Sequence, residues 1–400
     1  MRTDRQVVAA TWLGMLVPTP AVLARTLLTC YALSAALHLA TISLSTLLPL
    51  HVVELGGTKT QVGLLFSVMT VVSMVVRPSV GGWIDRYGAR PVILPGAAVL
   101  VGTSLAFHAV GTPTALIGLM AGLGLSSGLI STPASVLTAQ AAPPEHRGEA
   151  LSTYYLASSV AVAAAPPAAF ALLQGGGMPL VFSIVTVLAV VIGLLAVSLP
   201  PNVRRTASGP TRRLRLWSRH ALPASGVLIL TTMGQSAVYA FVPLAVIASG
   251  KSALLMWFFG LYSSWLIVCR AFLRALSDRV GRAHVLEPAI AAFALGLFLL
   301  ALPPTRMSLL TSAVLLASGA SVMYPTLLAL VVDRTPEPER GLAMGTVSAA
   351  WDFGIVVGAA LLGFIIDLSS YRVGFVAAGI AAIMGLTTFL AMELPGREGE

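Results

Sequence analysis

Arg77-Pro-Ser-Val-Gly81-Gly-Trp-Ile-Asp85-Arg86-Tyr-Gly88-Ala-Arg90 returns 193 residues later as Arg270-Ala-Phe-Leu-Arg274-Ala-Leu-Ser-Asp278-Arg279-Val-Gly281-Arg282. The pairs Arg77/Arg270, Asp85/Asp278, Arg86/Arg279, Gly88/Gly281 and Pro95/Pro288 share that offset. A second pair of segments keeps it: Pro143-Pro-Glu-His-Arg147-Gly148-Glu-Ala150 and Pro336-Glu-Pro-Glu-Arg340-Gly341-Leu-Ala343. Two separate motifs at one spacing make the chain a tandem duplication, with charged turns set between apolar segments in each half.

The apolar segments say which solvent surrounds those halves. The chain is 57% hydrophobic and 10% charged, with mean hydropathy +0.90, more apolar than a soluble domain of this length carries on its surface. Taking about 20 apolar residues per membrane crossing, twelve spans are expected. They fall at 27–49, 61–84, 91–110, 114–139, 150–173 and 178–199, then at 221–248, 254–277, 285–303, 308–332, 342–366 and 373–391. Lipid offers no hydrogen-bond partners, so segments of this length form helices. The expected fold is an all-α polytopic membrane protein of two pseudo-symmetric six-helix halves. Its divisions are an N-terminal cytoplasmic extension (1–25), an N-terminal half (26–199), a linker (200–219), a C-terminal half (220–391) and a tail (392–400).

Charge sets the expected orientation. With both termini cytoplasmic, 17 basic residues lie on the inner side and four on the outer side, namely Lys59, Lys251, Arg306 and Arg372. That asymmetry is a positive-inside signal for a multi-pass protein of the cell (inner) membrane. It accounts for the net charge of +9 without nucleic acid. The basic run from Arg204 to Arg219 reads as a cytoplasmic linker beside anionic lipid. Residues Val7 to Ala24 are apolar enough to resemble a signal peptide, but Pro18 and Pro20 weaken a helix there. An interfacial extension, or a true start at Met15, are the alternatives. A monomer is expected, with protons, a small-molecule substrate and the bilayer as partners.

No enzyme signature is present. Gly250-Lys251-Ser252 lacks the upstream glycine of a phosphate-binding loop, where Ala245 stands. Cys30 and Cys269 fall in apolar spans and suggest neither a disulfide framework nor a metal site. No metal or cofactor is expected.

Gly81-x-x-x-Asp85-Arg86-x-Gly88-x-Arg90, between the second and third spans, resembles the signature loop of the major facilitator superfamily. Asp278-Arg279-Val-Gly281-Arg282 stands where that family keeps its degenerate copy, and Pro-Glu-His-Arg-Gly resembles its loop between helices 4 and 5. The resemblance covers residues 26–391. The Arg-x7-Asp-Arg-x-Gly arrangement and Trp351-Asp352-Phe353-Gly354 look most like bacterial drug and metabolite efflux members, the drug:proton antiporters. The resemblance implies a loop that latches the two halves on the cytoplasmic side. Asp85 would face the start of helix 11 near Gly341, and Asp278 the start of helix 5 near Gly148. Arg77, Arg270, Arg147 and Arg340 would act in gating or structure. Glycine in the loop permits close helix approach and a positive-φ turn; purely topogenic charge is the rival reading.

The chain also departs from the family. Drug/proton antiporters carry an arginine in helix 4, four residues before a Gly-x-Gly; here Gly118 precedes Gly122-Leu-Gly124. The antiporter motif of helix 5 stands as Ala163-Ala-Ala165-Pro166-Pro167-Ala168-Ala169. Proton coupling therefore needs another group. Asp352 is the one acidic residue placed deep in a span, and a carboxylate there is a functional-site hypothesis by default. His38 is the other deep ionisable group; a satisfied core histidine is its alternative.

Around them, Ser34, Thr41, Ser131, Thr132, Tyr154, Tyr155, Ser158, Gln235, Tyr239, Tyr262, Trp265, Ser321, Tyr324 and Trp351 are candidates for lining a substrate cavity, each with packing as its rival role. The expected cavity is aromatic, hydroxyl-lined and nearly uncharged, with no fixed cation at the midplane. It suits a moderately hydrophobic, neutral or cationic compound such as a drug, antibiotic or secondary metabolite. Proton-driven efflux is the expected activity. A proton-coupled importer of a small nutrient and a non-transporting membrane sensor or scaffold are the alternatives.

Overall fold

The computed structural model of the chain describes residues 20–143, 146–200, 217–336 and 339–397. Among them there is no β-strand. The helices of the first half are α1 (Pro20–Glu54), α2 (Lys59–Tyr87), α3 (Ala89–Ala106), α4 (Pro113–Ala141) and α5 (Arg147–Ser198). A single 3-10 turn, Arg219–Ala221, leads into α6 (Leu222–Ala240) and the short α7 (Val242–Ala248). There follow α8 (Leu254–Val280), α9 (Arg282–Leu300), α10 (Arg306–Arg334), α11 (Arg340–Leu368) and α12 (Tyr371–Arg397). Residues 1–19 and 201–216, which include most of the expected extension and the linker arginines from Arg204 to Arg215, lie outside the described residues.

Ten of the described helices are long and apolar enough to cross a membrane. The sequence count of twelve differs from this for two reasons. First, α5 has 52 residues, which at about 1.5 Å each would reach roughly 80 Å, more than twice a hydrocarbon core of about 30 Å. It breaks into two arms at Gly176 and Gly177, the latter with φ 69°. Second, α8 has its side chains described without a break only over Leu254–Arg270, a stretch just short of a full crossing. Helix α1 is described from Pro20, earlier than the expected span.

The duplication reappears as geometry. Helices α3 and α9 start at Ala89 and Arg282, α4 and α10 at Pro113 and Arg306, and α5 and α11 at Arg147 and Arg340, each pair at the sequence offset. Gly88 and Gly281 close α2 and α8 with φ 89° and 95°. L side chains rarely adopt that conformation, so the glycine of the repeated Asp-Arg-x-Gly has a backbone reason. The break in α5 falls where, one repeat later, Ser369 and Ser370 separate α11 from α12.

The halves meet most extensively along two helix pairs that the repeat relates, α2 with α11 and α5 with α8. Between α2 and α11 the backbones nearly touch. A Cβ on Gly63 would stand 2.2 Å from the Ala359 carbonyl oxygen, and one on Gly363 would stand 2.5 Å from that of Lys59. Such small residues are what close helix packing in lipid requires. Ser67 Oγ donates to the Val356 carbonyl at 2.9 Å.

At one end of this pair, Asp367 accepts from the backbone N–H groups of Lys59 (2.9 Å) and Thr60 (2.6 Å) and from Thr60 Oγ1 (2.6 Å). The first N–H groups of a helix have no partner within it, and its N-terminus carries partial positive charge. A carboxylate from the other half meets both needs. Towards the opposite end, no described atom lies within 4 Å of the position a Cβ would take on Gly81, Gly82 or Gly345. The α5/α8 pair is held differently, by Phe170 stacked on Phe259 at 5.5 Å between ring centroids.

Gly63→Leu drives a side chain into the α11 backbone. The thermal unfolding midpoint in detergent is expected to fall, overpacking of this kind costing about 1–3 kcal/mol. Gly82→Ala, in open space, should leave the midpoint unchanged; equal midpoints for Gly63→Leu and the native protein would contradict the packing.

Candidate functional site

Asp352 stands twelve residues into α11, about 18 Å along the helix at 1.5 Å per residue. It is not alone. Arg77 of α2 places Nη1 2.5 Å from Asp352 Oδ2, joining the two halves by an ion pair within their closest interface. The side chains are 39% and 15% exposed. An arginine at this depth is costly against hydrocarbon, and its ion pair with Asp352 offsets that cost. By sequence alone Arg77 reads as a gating residue and Asp352 has no partner. The two residues lie 275 positions apart, and nothing in local spacing links them.

Aromatic and hydroxyl groups surround the pair. Tyr155 and Tyr324 lie within electrostatic reach of Arg77, as does His38. Tyr324 Oη and Ser348 Oγ share a hydrogen bond of 3.0 Å, and the Tyr324 ring meets Trp351 edge-on at 5.1 Å. Tyr155 packs edge-on against Tyr154 at 5.4 Å and is itself 57% exposed. Tyr154 is buried and donates to the Ser131 carbonyl at 3.1 Å, tying α5 to α4. His38 Nδ1 sits 2.7 Å from the Ser34 carbonyl, one turn back on α1. An N–H at Nδ1 satisfies that contact, which leaves Nε2 as the free nitrogen for exchange. Ser348 escaped the sequence search, although its place one turn before Asp352 on α11 was a usable signal.

Other candidates separate into a second group and a set occupied by their own helices. Gln235 Nε2 donates to Tyr262 Oη at 2.9 Å, and both residues are buried. Tyr239 meets the Tyr262 ring at 6.2 Å. Trp265 Nε1 donates to Ser318 Oγ at 2.8 Å. Arg270 Nε approaches the Ser321 carbonyl at 3.4 Å. Thr41, Ser131 and Ser158 bond to carbonyls of the preceding turn, at 2.8, 2.7 and 2.8 Å. Ser34 is buried and Thr132 half-buried on α4.

The gating candidates lie at the end of the bundle remote from Asp367. Arg86 lies over the Tyr87 ring at 5.2 Å, Gly81 and Arg147 are exposed, and Arg90 is half-buried at the start of α3. Arg282 pairs with Asp333 at 2.7 Å, bridging α9 to the end of α10. Arg340 Nε approaches the Thr335 carbonyl at 3.4 Å. The side chains of Asp85, Arg274, Asp278 and Arg279, and the positions of Gly148 and Gly341 as their expected contacts, lie outside what the structure describes. Among the described residues, no group of His, Cys, Asp and Glu has the arrangement of a metal site.

The profile of the Major Facilitator Superfamily matches residues 30–273 and 224–400. The staphylopine export protein of Staphylococcus aureus (strain Mu50) is 23% identical over 91% of this chain and 96% of its own length. Multidrug resistance protein 1 of Bacillus subtilis (strain 168) is 28% identical over 31% of this chain and 32% of its own. Among solved structures, a bacterial homologue of the human lysosomal transporter Spinster in an inward-facing, unoccupied conformation aligns with TM-score 0.78 and 13% identity. It covers 93% of this chain and 97% of that one. The nucleoside transporter NupG aligns with TM-score 0.74 and 14% identity, covering 92% and 98%. At these identities the structures share the fold.

Breaking the central pair from one side leaves a charge without its partner, whereas removing both charges does not. With Arg77 39% exposed, the single substitutions Arg77→Leu and Asp352→Leu should each cost about 1–2 kcal/mol, less than a fully buried pair. The double variant should recover most of the lost thermal midpoint. Additive losses in the double variant would mean that the two charges are not coupled.

Proposed function

The chain belongs to the major facilitator superfamily, and on that premise we propose that it exports a moderately hydrophobic small molecule in exchange for protons. The observation that carries this reading is the Arg77–Asp352 pair, a titratable carboxylate bonded across the interface of the two halves, with both side chains partly exposed. With Asp352 ionised, the pair holds α2 against α11 at mid-depth. Protonation removes that attraction and frees Arg77. A proton and a substrate that each change the strength of this contact bias one equilibrium between facing states, which is what coupling requires. The family's usual helix 4 arginine is replaced by Gly118, so Arg77 is the cation that takes part. His38, within electrostatic reach of Arg77, is a relay for the proton rather than its main carrier.

The direction of export is supported by two relatives whose names describe export and multidrug resistance. The orientation rests on the basic residues. With both termini cytoplasmic, the Lys59/Asp367 end is outer and the Gly81/Gly345 end is inner.

Two measurements test this. Single cysteines at Ser252 and Pro143 should label from outside and from inside, respectively; the reverse pattern overturns the orientation. For transport, a compound to which the chain confers tolerance in an efflux-deficient host serves as the probe. Everted vesicles should accumulate it when a pH gradient is imposed, and Asp352→Asn should abolish that accumulation while downhill exchange survives. If Asp352→Asn still concentrates the compound against its gradient, the carboxylate is not the proton carrier.

A further inference from the structure

The α5/α8 interface repeats the arginine of the α2/α11 interface but not the acid. The internal offset relates Arg77 of α2 to Arg270 of α8. Because α5 and α11 start at Arg147 and Arg340, the same offset relates Asp352 to Ser159. One interface joins a guanidinium to a carboxylate; the other keeps the guanidinium and has a serine at the offset of the acid. Arg270 lies ten residues from the Val280 end of α8, about 15 Å into the bundle. It is half-buried, and its Nε reaches only a backbone carbonyl, Ser321, at 3.4 Å. Among the described residues no carboxylate pairs with it. Ser159 Oγ donates to the Tyr155 carbonyl at 2.7 Å and brings no charge.

A guanidinium at this depth without a counter-charge is costly, and such residues mark binding sites or ion paths. Its surroundings suit a ligand. Tyr239 and Tyr262 lie within electrostatic reach of Arg270. Gln235 bonds to Tyr262 through Nε2, while its Oε1 is buried without a hydrogen-bond partner among the described groups. Trp265, 37% exposed, offers an aromatic surface a little more than one turn away on α8.

We propose that Arg270 anchors a substrate bearing one carboxylate, which takes at the α5/α8 interface the place that Asp352 fills at α2/α11. The planar guanidinium can hold a carboxylate by two parallel N–H···O bonds, with the apolar remainder of the molecule against the aromatic side chains. The unsatisfied Gln235 Oε1 would accept from a donor on the same molecule. This inference rests on the transporter reading and differs from it in the expected substrate charge. By sequence, no fixed cation stands at the midplane and a neutral or cationic compound is favoured. Arg270 is such a cation, and one arginine suits a single carboxylate rather than a polyanion.

The test is a binding measurement on the purified full-length protein in detergent, with no gradient, so that failure of export or of proton coupling cannot affect it. The probes are N-acetylphenylalanine and N-acetylphenylalaninamide, which share a shape and differ in the carboxylate. The acid should bind about ten-fold tighter or more, as a charge-assisted contact predicts. Arg270→Gln should erase the preference and Arg270→Lys should keep part of it. Ser159→Asp should supply the missing acid from the chain itself, raise the thermal midpoint and abolish binding of the acid; its higher midpoint also shows that this variant is folded. Equal affinity for the two probes, no binding of either at millimolar concentration, or a preference that survives Arg270→Gln and Ser159→Asp would overturn the proposal.

Discussion

A charge inside a hydrocarbon slab must be paired, hydrated or absent, and this constraint shapes the molecule at every scale. It keeps the charged residues in turns at the ends of the helices, where they orient the chain. It leaves few ionisable groups at depth, and it makes each charge among them need a partner. The Arg77–Asp352 pair is the clearest case, because its two charges come from different halves. The low-dielectric interior that makes either charge costly alone also makes their attraction strong. In the proposed function, a contact of that kind, placed where two bodies meet, would convert the gain or loss of one proton into a preference for one arrangement of the halves.

Duplication supplied the frame, and departures from symmetry supplied what is specific to this chain. Both copies keep the positive-φ glycine that ends α2 and α8, since the turn has no other residue that fits it at low cost. The interfaces then diverge. Gly63 and Gly363 bring α2 and α11 to backbone contact, whereas Phe170 and Phe259 fill the α5/α8 seam. Asp367 caps α2 from across the interface, while the residue one repeat earlier is Gln174, a neutral group. One interface is thus closed by charge and close approach, and the other by aromatic packing.

Most of the frame was legible in the sequence because it depends on period and composition. The common offset identified the halves, and apolar length identified the spans, including the two arms of α5 that a continuous run of helical hydrogen bonds merges across Gly176 and Gly177. Asp352 could be singled out by rarity alone. Its partner could not, since the contact joins positions 275 apart and depends on the register of two packed helices. The cavity candidates fared unevenly for a related reason. A hydroxyl on a helix either turns outward or bonds to its own preceding turn, as Thr41 and Ser131 do, and sequence does not distinguish the two. Asp367 was passed over because it lies at a helix end, where acidic residues are ordinarily just solvated.

Proton coupling through the Arg77–Asp352 pair requires that the halves rock about the α2/α11 and α5/α8 seams, so that one end of the bundle opens as the other closes. Pulsed dipolar spectroscopy on spin-label pairs tests this directly. Labels at Pro143 and Pro336 report one end, and labels at Gly111 and Pro304 the other, each pair related by the internal repeat. On acidification of the reconstituted protein, the two distance distributions should shift in opposite directions, and Asp352→Asn should remove the response. Distributions that stay fixed, or that widen together at both ends, would contradict the account.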